Sequence, residues 1–270
     1  MYVKRTDLAM EAHDIRRRAQ NNRELPGVRV EAKRRGPVCT TVVQVLDAEG
    51  ERAMGKARGT YLSMELDGRS GQVRAAAARQ LAGHLRKLLP AEGPVMVVGL
   101  GNRAVTPDAL GALTVGELLI TSHLCAQFPF FRSVSAICPG VQGQTGLESL
   151  EIVRAVAARV KPACLIAVDA LAAAELSHIG AVIQLSDAGI QPGSGVGNRS
   201  ARLDRTVLGV PVLALGVPTV TDLDGDGQGR IVTTADVDLT VKTMAKLLGE
   251  AVNSALHPGL SKAELDGFLM

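Results

Sequence analysis

The chain has 270 residues, a net charge of +3 and a hydrophobic fraction of 46%. This length is enough to bury a substantial core, as one large domain or as one domain with a small addition. Aromatic residues make up only 2% of the chain and tryptophan is absent, which argues against a surface that stacks on nucleic-acid bases or sugars.

The first 37 residues are polar, charged and only weakly periodic, and we expect little regular structure in them. Their basic residues are interspersed with acids, so a solvated surface is favoured over contact with nucleic acid or a membrane. Residues 41–46 and 60–66 have strand-like patterns, which predict a β-hairpin extension at a sheet edge. We therefore divide the chain into an N-terminal segment, 1–37, and an α/β domain, 38–270.

Beyond the hairpin, helices and short apolar strands alternate along the chain. The predicted strands are 95–100, 133–138, 163–168, 181–185 and 212–217, and the predicted helices are 72–89, 108–127, 147–160, 170–177 and 234–256. This alternation predicts a mostly parallel sheet sandwiched between helices. Right-handed crossovers would place the carboxyl ends of the strands at one edge of the sheet.

Polar and glycine-rich segments follow the predicted strands and would line that edge. Asn102 and Asp108 follow the first central strand, and Thr106 is expected to cap the helix that begins there. Asp169 ends the strand 163–168, and Asp187 follows the strand 181–185. Because open α/β sheets place their sites at this edge, these side chains are candidates for chemistry.

Asp169 lies between two apolar residues without a local cation. A carboxylate in that setting is costly to bury unless it has a partner or a task. It could simply cap the helix predicted after it. Alternatively, Asp108 and Asp169 could share one proton, and the pair could then activate a water and protonate a leaving group, with Asp187 as a third candidate.

Two glycine-rich loops, 140–146 and 192–198, lie at the same predicted edge. The backbone amides of the second loop, together with that of Asn102, could place an extended substrate backbone or a developing oxyanion. The candidate residues of that loop are Gly193, Ser194, Gly195, Gly197 and Asn198. Ser194 is not expected to be a nucleophile, because it follows Pro192 in a loop rather than a strand.

Other motifs leave alternatives open. The segment 99–104 has the glycine spacing of a dinucleotide fingerprint, but the helix starts later, so a nucleotide- or anion-binding protein is an alternative. The segment 222–227 begins like a calcium loop, but Thr233 stands where the bidentate glutamate belongs. The five histidines are scattered without an HExxH motif, so a zinc site would have to assemble in space. We expect no metal and no cofactor.

The four cysteines are far apart and form no CxxC pair, which indicates a reducing compartment. The N-terminus lacks the apolar core of a signal peptide, and no apolar run reaches the roughly 20 residues that span a bilayer. We therefore expect a cytoplasmic protein.

Several blocks of the sequence resemble the germination protease family of spore-forming bacteria. They are VVGLGNxxVTPDALG, CPGVxGxTGLE, IAVDALAA, IQLSDAGIQPGSGVGN and PVLALGVPTVTD, with RTDLAMEAH near the start and IVTTADVDLTVKTMAKLLGEAVNSALH near the end. They occur in order over nearly the whole chain.

The resemblance implies a cytosolic endopeptidase of the spore interior that degrades small acid-soluble spore proteins during germination. It implies a homotetramer, and a core like that of the hydrogenase-maturation peptidases. It implies that the catalytic groups are Asp108 of TPDALG and Asp169 of VDALA, while leaving a metal role open. It also implies a zymogen that removes a short N-terminal segment by self-cleavage.

Two departures from the family pattern bear on these expectations. The family's processing site matches Asp7-Leu8, so the propeptide would be only residues 1–7. The segment between the VPTV strand and the final helix is shorter than is usual in the family, so any regulatory or assembly role of that segment would be lost.

Overall fold

The computed structural model describes residues 5–193, 201–222 and 231–269. The strands in these ranges are β1 (Val28–Arg35), β2 (Val38–Val45), β3 (Gly59–Leu66), β4 (Val95–Gly99), β5 (Val134–Ile137), β6 (Cys164–Ala173), β7 (Val182–Ser186), β8 (Val212–Asp222) and β9 (Ile231–Val232). The helices are α1 (Ala9–Ala19), α2 (Ala48–Met54), α3 (Gly71–Leu88), α4 (Leu110–Gly116), α5 (Gln142–Thr145), α6 (Ser149–Val160), α7 (Arg205–Leu208), α8 (Val237–Leu256) and α9 (Lys262–Leu269).

These strands form one sheet in the order β1-β2-β3-β7-β8-β6-β4-β5, and β9 pairs with β8. The central strands β8, β6, β4 and β5 are mutually parallel, which confirms the predicted α/β fold. On the other side of β8, strands β7, β3, β2 and β1 pair antiparallel. The expectation that all strands after residue 95 end at one edge is therefore wrong for β7.

Helices cover both faces of the sheet. Side chains alternate between the two faces along each strand, so both faces present apolar residues on which helices pack. On one face, Leu81 of α3 and Leu248 of α8 pack with Val97 and Ile166. The opposite face packs Val153 of α6 over the parallel strands. The helices α1 and α2 lie on that same side, over β2 and β3. We call this second side the α1/α6 face, and it carries the candidate site.

The chain ahead of residue 38 is part of the fold, so the expectation of little regular structure there is wrong for its described residues. The helix α1 packs on β2 and β3, and β1 pairs with β2 along its whole length. The division proposed at residue 37 thus falls at the turn of the β1–β2 hairpin. The predicted turn after β2 is the short helix α2, which Asp47 caps by accepting the N–H groups of Glu49 and Gly50.

The helix predicted over 108–127 is much shorter, because α4 ends at Gly116. Thr106 does not cap it, since residues 106–108 form a 3-10 turn without a side-chain cap. Tertiary contacts replace the missing helical hydrogen bonds: the side chain of Asn253, on α8, accepts the N–H of Leu119 and donates to the carbonyl of Glu117. The periodicity of the sequence does not indicate this contact between α8 and the segment that follows α4.

The strand β6 continues past its predicted end at residue 168 to Ala173, so the helix predicted over 170–177 is wrong. Beyond the strand, residues 176–178 form a single 3-10 turn. The cause is the partner strand β8, which runs on to Asp222 and keeps pairing with β6 across an irregularity after Leu171. Asp169 therefore lies inside a strand and caps no helix. Within the described ranges, no helix is long and apolar enough to cross a membrane.

Candidate active site

Asp169 is a nearly fully buried carboxylate on the α1/α6 face of β6, with only 4% of its surface exposed. Its Oδ1 accepts the N–H of Ala170 at 2.9 Å. Its register partner on β8 is Gly216, where an added Cβ would come within 2.6 Å of the Leu171 side chain. The absence of a Cβ at this position makes room for the Leu171 side chain.

Asp108 is held by the loop that follows β4. Its Oδ2 accepts the backbone N–H of Asn102 at 2.7 Å. The Asn102 side chain in turn accepts the N–H of Ala104 and a donor from Gln144, which ties this loop to the glycine-rich segment 140–146. Gly101 has a φ of +92°, and a Cβ there would overlap the Asp108 carbonyl oxygen at 2.1 Å. The turn therefore requires glycine.

Asp108 and Asp169 line the same cleft, of about 400 Å³, which Asp7, Gly193 and Thr219 also line. Burial raises the pKa of Asp108, and the hydrogen bond from Asn102 partly opposes that rise. Burial raises the pKa of Asp169 well above its usual value, and the nearby carboxylates of Asp108 and Asp7 raise it further. Of the two carboxyl groups, Asp169 therefore remains protonated more readily.

A second cleft of about 430 Å³ lies on the other side of Asp169, and its lining includes Lys56, Gln184 and Gly216. Asp7, Asp169 and Gly193 line both clefts, so Asp169 stands where the two meet. An extended chain passing from one cleft to the other would cross the carboxylate pair.

The chain's own N-terminal segment crosses this junction. The backbone N–H of Asp7 donates to the carbonyl of Ala172 at 2.9 Å, and its carboxylate accepts the Ala172 N–H at 2.9 Å. The Asp7 carbonyl oxygen accepts two hydrogen bonds, from Lys56 Nζ at 2.9 Å and from Gln184 Nε2 at 3.0 Å. The following residue, Leu8, is completely buried.

Glu11 anchors that segment from α1. Its carboxylate accepts hydrogen bonds from the backbone N–H groups of Ala174 and Glu175, from the Nδ1 atom of His178 and from the Thr6 hydroxyl. Burial would raise the pKa of Glu11, but these hydrogen bonds lower it below its usual value. The start of α1 is thereby fixed to the end of β6.

Sequence reasoning found Asp108, Asp169 and Gly193 at the site but missed Lys56 and Gln184. Gln184 is a polar residue between apolar neighbours in β7, but the sequence does not indicate which group it faces. No pattern indicates Lys56, because its position depends on how the short helix α2 docks.

Of the other expected site residues, Asp187 and Asn102 have different hydrogen-bond partners from those expected, and the rest fall outside the described residues. Asp187 ends the antiparallel strand β7, accepts the Thr60 N–H at 2.6 Å and lines neither cleft. Because β7 runs opposite to β8, the chain leaves β7 beside the start of β8, and a role for Asp187 in the site stays a prediction. The Asn102 amide is committed to Asp108 and not directed at a substrate. Ser194, Gly195, Gly197 and Asn198 lie outside the described residues.

Across residues 5–193, 201–222 and 231–269, no group of three or more His, Cys, Asp or Glu side chains is arranged to hold a metal ion. The four cysteines are free thiols, and Cys164 is buried. The calcium-like segment 222–227 falls almost wholly outside the described residues.

Comparisons with known proteins identify the family of this chain. A family model described as germination protease matches residues 3–225. The germination protease of Caldanaerobacter subterraneus subsp. tengcongensis is 37% identical over 98% of this chain and 98% of its own length. Those of a Geobacillus species and Clostridium perfringens are 40% and 33% identical, covering 96% and 100% of this chain and 73% and 100% of their own. A solved NiFe hydrogenase maturation protease from Thermococcus kodakarensis, 16% identical, aligns with a TM-score of 0.38 over 63% of this chain and 98% of its own. The chain belongs to the germination protease family.

Proposed function

We propose that this chain is an endopeptidase that cleaves small acid-soluble spore proteins during spore germination, using Asp108 and Asp169 to activate water. Family membership supports a peptidase, and the observation that carries the mechanism is the buried aspartate pair lining one cleft. A raised pKa on one carboxylate beside a less perturbed one is the arrangement that general acid–base hydrolysis needs.

The two aspartates take different roles in this mechanism. Asp108 is the more exposed carboxylate and accepts a hydrogen bond that favours its ionised form, so it acts as the general base toward water. Asp169 holds the proton and delivers it to the leaving nitrogen as general acid. Because the two groups interact, they titrate as a pair.

Substrates would be unfolded segments, because a chain must be extended to pass through both clefts. The described part of the second glycine-rich loop supports this, since Gly193 lines both clefts and offers backbone for such a chain. We propose that the enzyme works as a homotetramer in the cytoplasm of the spore.

Processing at Asp7-Leu8 is a further part of the proposal. Asp7 already lies against Asp169 at the junction of the two clefts, where a peptide to be cleaved would lie. Removal of the residues up to Asp7 would vacate that position for other substrates. The N-terminal segment would thus be both the inhibitor of the precursor and its first substrate.

A digest tests the mechanism. A purified small acid-soluble spore protein is incubated with wild type, Asp108→Asn and Asp169→Asn, each with and without a chelator, and mass spectrometry follows the fragments and the N-terminus. Discrete fragments from wild type alone, insensitive to chelator, are expected. Full activity in either mutant rules out the aspartate pair, and loss on chelation selects a metal-dependent peptidase.

A wild type that cuts neither the spore protein nor its own chain at Asp7 would contradict the proposed function. Tight nucleotide binding under the same conditions would then favour the binding-protein alternative. Trimming at Asp7 without cleavage of the spore protein would support peptidase activity and contradict the proposed substrate.

A further inference from the structure

The contacts of the N-terminal segment contain a feature that the aspartate pair does not explain. Two side-chain donors, Lys56 Nζ and Gln184 Nε2, converge on one backbone oxygen, the carbonyl of Asp7, at 2.9 and 3.0 Å. The same residue donates its backbone N–H to the Ala172 carbonyl, while its side-chain carboxylate, and not its backbone carbonyl, accepts the Ala172 N–H.

We propose that Lys56 and Gln184 are the carbonyl-binding pair of the peptidase site, and that they hold the oxygen of the scissile peptide group in substrates as they hold that of Asp7 here. This inference rests on the proposed function and adds to it the group that stabilises the developing negative charge. Preorganised donors aimed at such an oxygen are a major contribution to hydrolytic catalysis.

The sheet fixes Gln184 relative to Asp169. Both residues are in register with Gly216 of β8, Asp169 from β6 and Gln184 from β7, and both point to the α1/α6 face. Since neighbouring strands are about 4.8 Å apart, their Cα atoms are about 10 Å apart across the glycine. The Asp169 carboxylic acid and the Gln184 amide therefore flank Gly216 on the same face, and the Leu171 side chain packs close to the glycine.

The orientation of the Gln184 amide is set by a second contact. Its Oε1 accepts the N–H of Ala9 at 2.7 Å, so its Nε2 is directed at the Asp7 carbonyl. Gln184 is only 8% exposed, and a buried amide held at both ends loses little freedom when it binds a substrate. This is the preorganisation that a carbonyl-binding group requires.

Lys56 lines the same cleft and directly follows Gly55, the left-handed residue that ends α2. Its ammonium also lies near the Thr6 carbonyl, at 3.5 Å. Burial lowers the pKa of Lys56, while the carboxylates of Asp7 and Glu11 oppose that change. A cation that has little water around it interacts strongly with a nearby oxyanion.

The hydrolytic step balances with these groups. A water oxygen bonds to the carbonyl carbon and gives one proton to the Asp108 carboxylate, while the carbonyl electron pair moves onto the oxygen held by Lys56 and Gln184. The C–N bond then breaks, the nitrogen takes the proton of Asp169, and the C=O bond re-forms. The new carboxylic acid loses its proton to solvent, and the proton on Asp108 returns to Asp169 through solvent.

Single-turnover and steady-state cleavage of a spore protein by the full chain tests this assignment. The variants are Lys56→Met, Gln184→Met and Gln184→Glu, of which the last keeps an acceptor for Ala9 but removes the amide donor. Lys56→Arg keeps a cation and should recover part of the activity. Matched controls are Gln80→Leu, which removes a glutamine donor to the Arg35 carbonyl on the other side of the sheet, and the exposed Lys246→Met.

We expect kcat to fall about 10²-fold to 10³-fold in each donor variant with KM changed only a few-fold, as for other oxyanion donors. A peptide with a tetrahedral hydroxyl-bearing centre in place of the scissile carbonyl should lose affinity in parallel. Trimming at Asp7 should slow by a similar factor. Thermal unfolding identifies any variant that is not folded, and Lys56→Met, at a half-buried position, gives a folded comparison if the Gln184 variants fail.

Folded donor variants that retain wild-type kcat overturn the inference while leaving the aspartate mechanism in place. A rise in KM alone does the same, because it indicates ground-state binding only. If wild type does not cleave the spore protein and Asp169→Asn is equally inactive, the proposed function fails and this inference fails with it. The Asp169→Asn arm therefore separates the two failures.

Discussion

Gly101 shows how a single backbone position controls the placement of Asp108, the proposed general base. Its φ of +92° is one that side chains disfavour, and its missing Cβ leaves room for the Asp108 carbonyl oxygen, 2.1 Å from where that Cβ would be. The next residue, Asn102, donates its N–H to the Asp108 carboxylate. Any residue larger than glycine must therefore displace Asp108.

The substitution Gly101→Ala tests this dependence. We expect unfolding free energy to fall by about 1–3 kcal/mol, because a strained φ is enforced. Cleavage should fall on the order of 10²-fold, because the carboxylate is displaced. Urea unfolding and spore-protein cleavage measure the two effects. The control Gly83→Ala, in α3 with nothing within 4 Å of the added Cβ, should raise stability by about 0.5–1 kcal/mol.

Asp169 makes the stability of the protein depend on pH in a direction opposite to that of an ordinary paired carboxylate. Burial, Asp108 and Asp7 raise its pKa in the folded state well above the unfolded value of 3.8. Between those two pKa values the folded state binds more protons than the unfolded state, so unfolding free energy falls as pH rises.

The variant Asp169→Asn cannot ionise and should lose this slope. We expect its stability relative to wild type to improve steadily as pH rises from about 4 toward neutrality, with activity abolished throughout. Urea unfolding at several pH values measures the difference. A constant difference across that range would mean that Asp169 ionises as easily when folded as when unfolded.

At the scale of elements, the ends of α1 and β6 are joined through Glu11 and His178. The two side chains approach within 2.6 Å, Glu11 being buried and His178 half-buried. The hydrogen bond to Glu11 raises the pKa of His178 above 6.5, although burial opposes it. Because this contact positions α1, it also positions the Thr6–Leu8 segment in the cleft.

This ion pair should contribute most within a limited pH window. The contribution of His178, whose pKa is raised, is complete below 6.5 and is lost as pH rises through its folded pKa. The contribution of Glu11, whose pKa is lowered, is complete above 4.5 and is lost as pH falls. Between those values the pair is fully charged.

We therefore expect His178→Ala to lower unfolding free energy by about 1.5–3 kcal/mol near pH 5.5, as loss of a hydrogen bond to a charged group does. Near pH 9 the loss should be smaller, because His178 is then neutral in wild type. Urea unfolding at both pH values tests this. In a Glu11→Gln background the pH difference should vanish, and its persistence would place the titration elsewhere.

The elements that sequence patterns predicted well are those whose type and bounds depend on their own side chains. The apolar stripe of α3 and the β-branched run of β4 are examples, and both lie within a residue or two of their predicted bounds. The errors occurred where another element decides. The early end of α4 depends on Asn253 of α8, and the extension of β6 depends on continued pairing with β8.

The site residues likewise divide into those that a local pattern predicts and those that depend on contacts between elements. Asp108 could be predicted because it follows a buried strand and a glycine turn. The proximity of Asp7 to Asp169 could not, because it depends on α1 docking across the sheet, and no local pattern in the first 37 residues indicates that. The donors Lys56 and Gln184 are recognisable only when the strand registers and the position of α2 are known.

Among the described residues, the outer strands of the sheet are β1 and β5, and they bear on how copies of the chain could associate. The edge strand β1 is largely exposed and carries alternating and clustered charges, among them Arg29, Glu31 and Lys33. The opposite edge, β5, has only four residues. Charged or short edge strands discourage sheet-to-sheet pairing between copies. Assembly should therefore use other surfaces.

The proposed homotetramer can be tested together with this expectation. Light scattering of the wild type should give a mass close to four times 28.2 kDa. The charge reversal Glu31→Lys, which adds to the positive charge of β1, should leave that mass unchanged, because an edge that already repels its copies is not part of the contact. A wild-type mass of one chain would contradict the tetramer. A tetramer that dissociates in Glu31→Lys would instead place the β1 edge in the subunit interface.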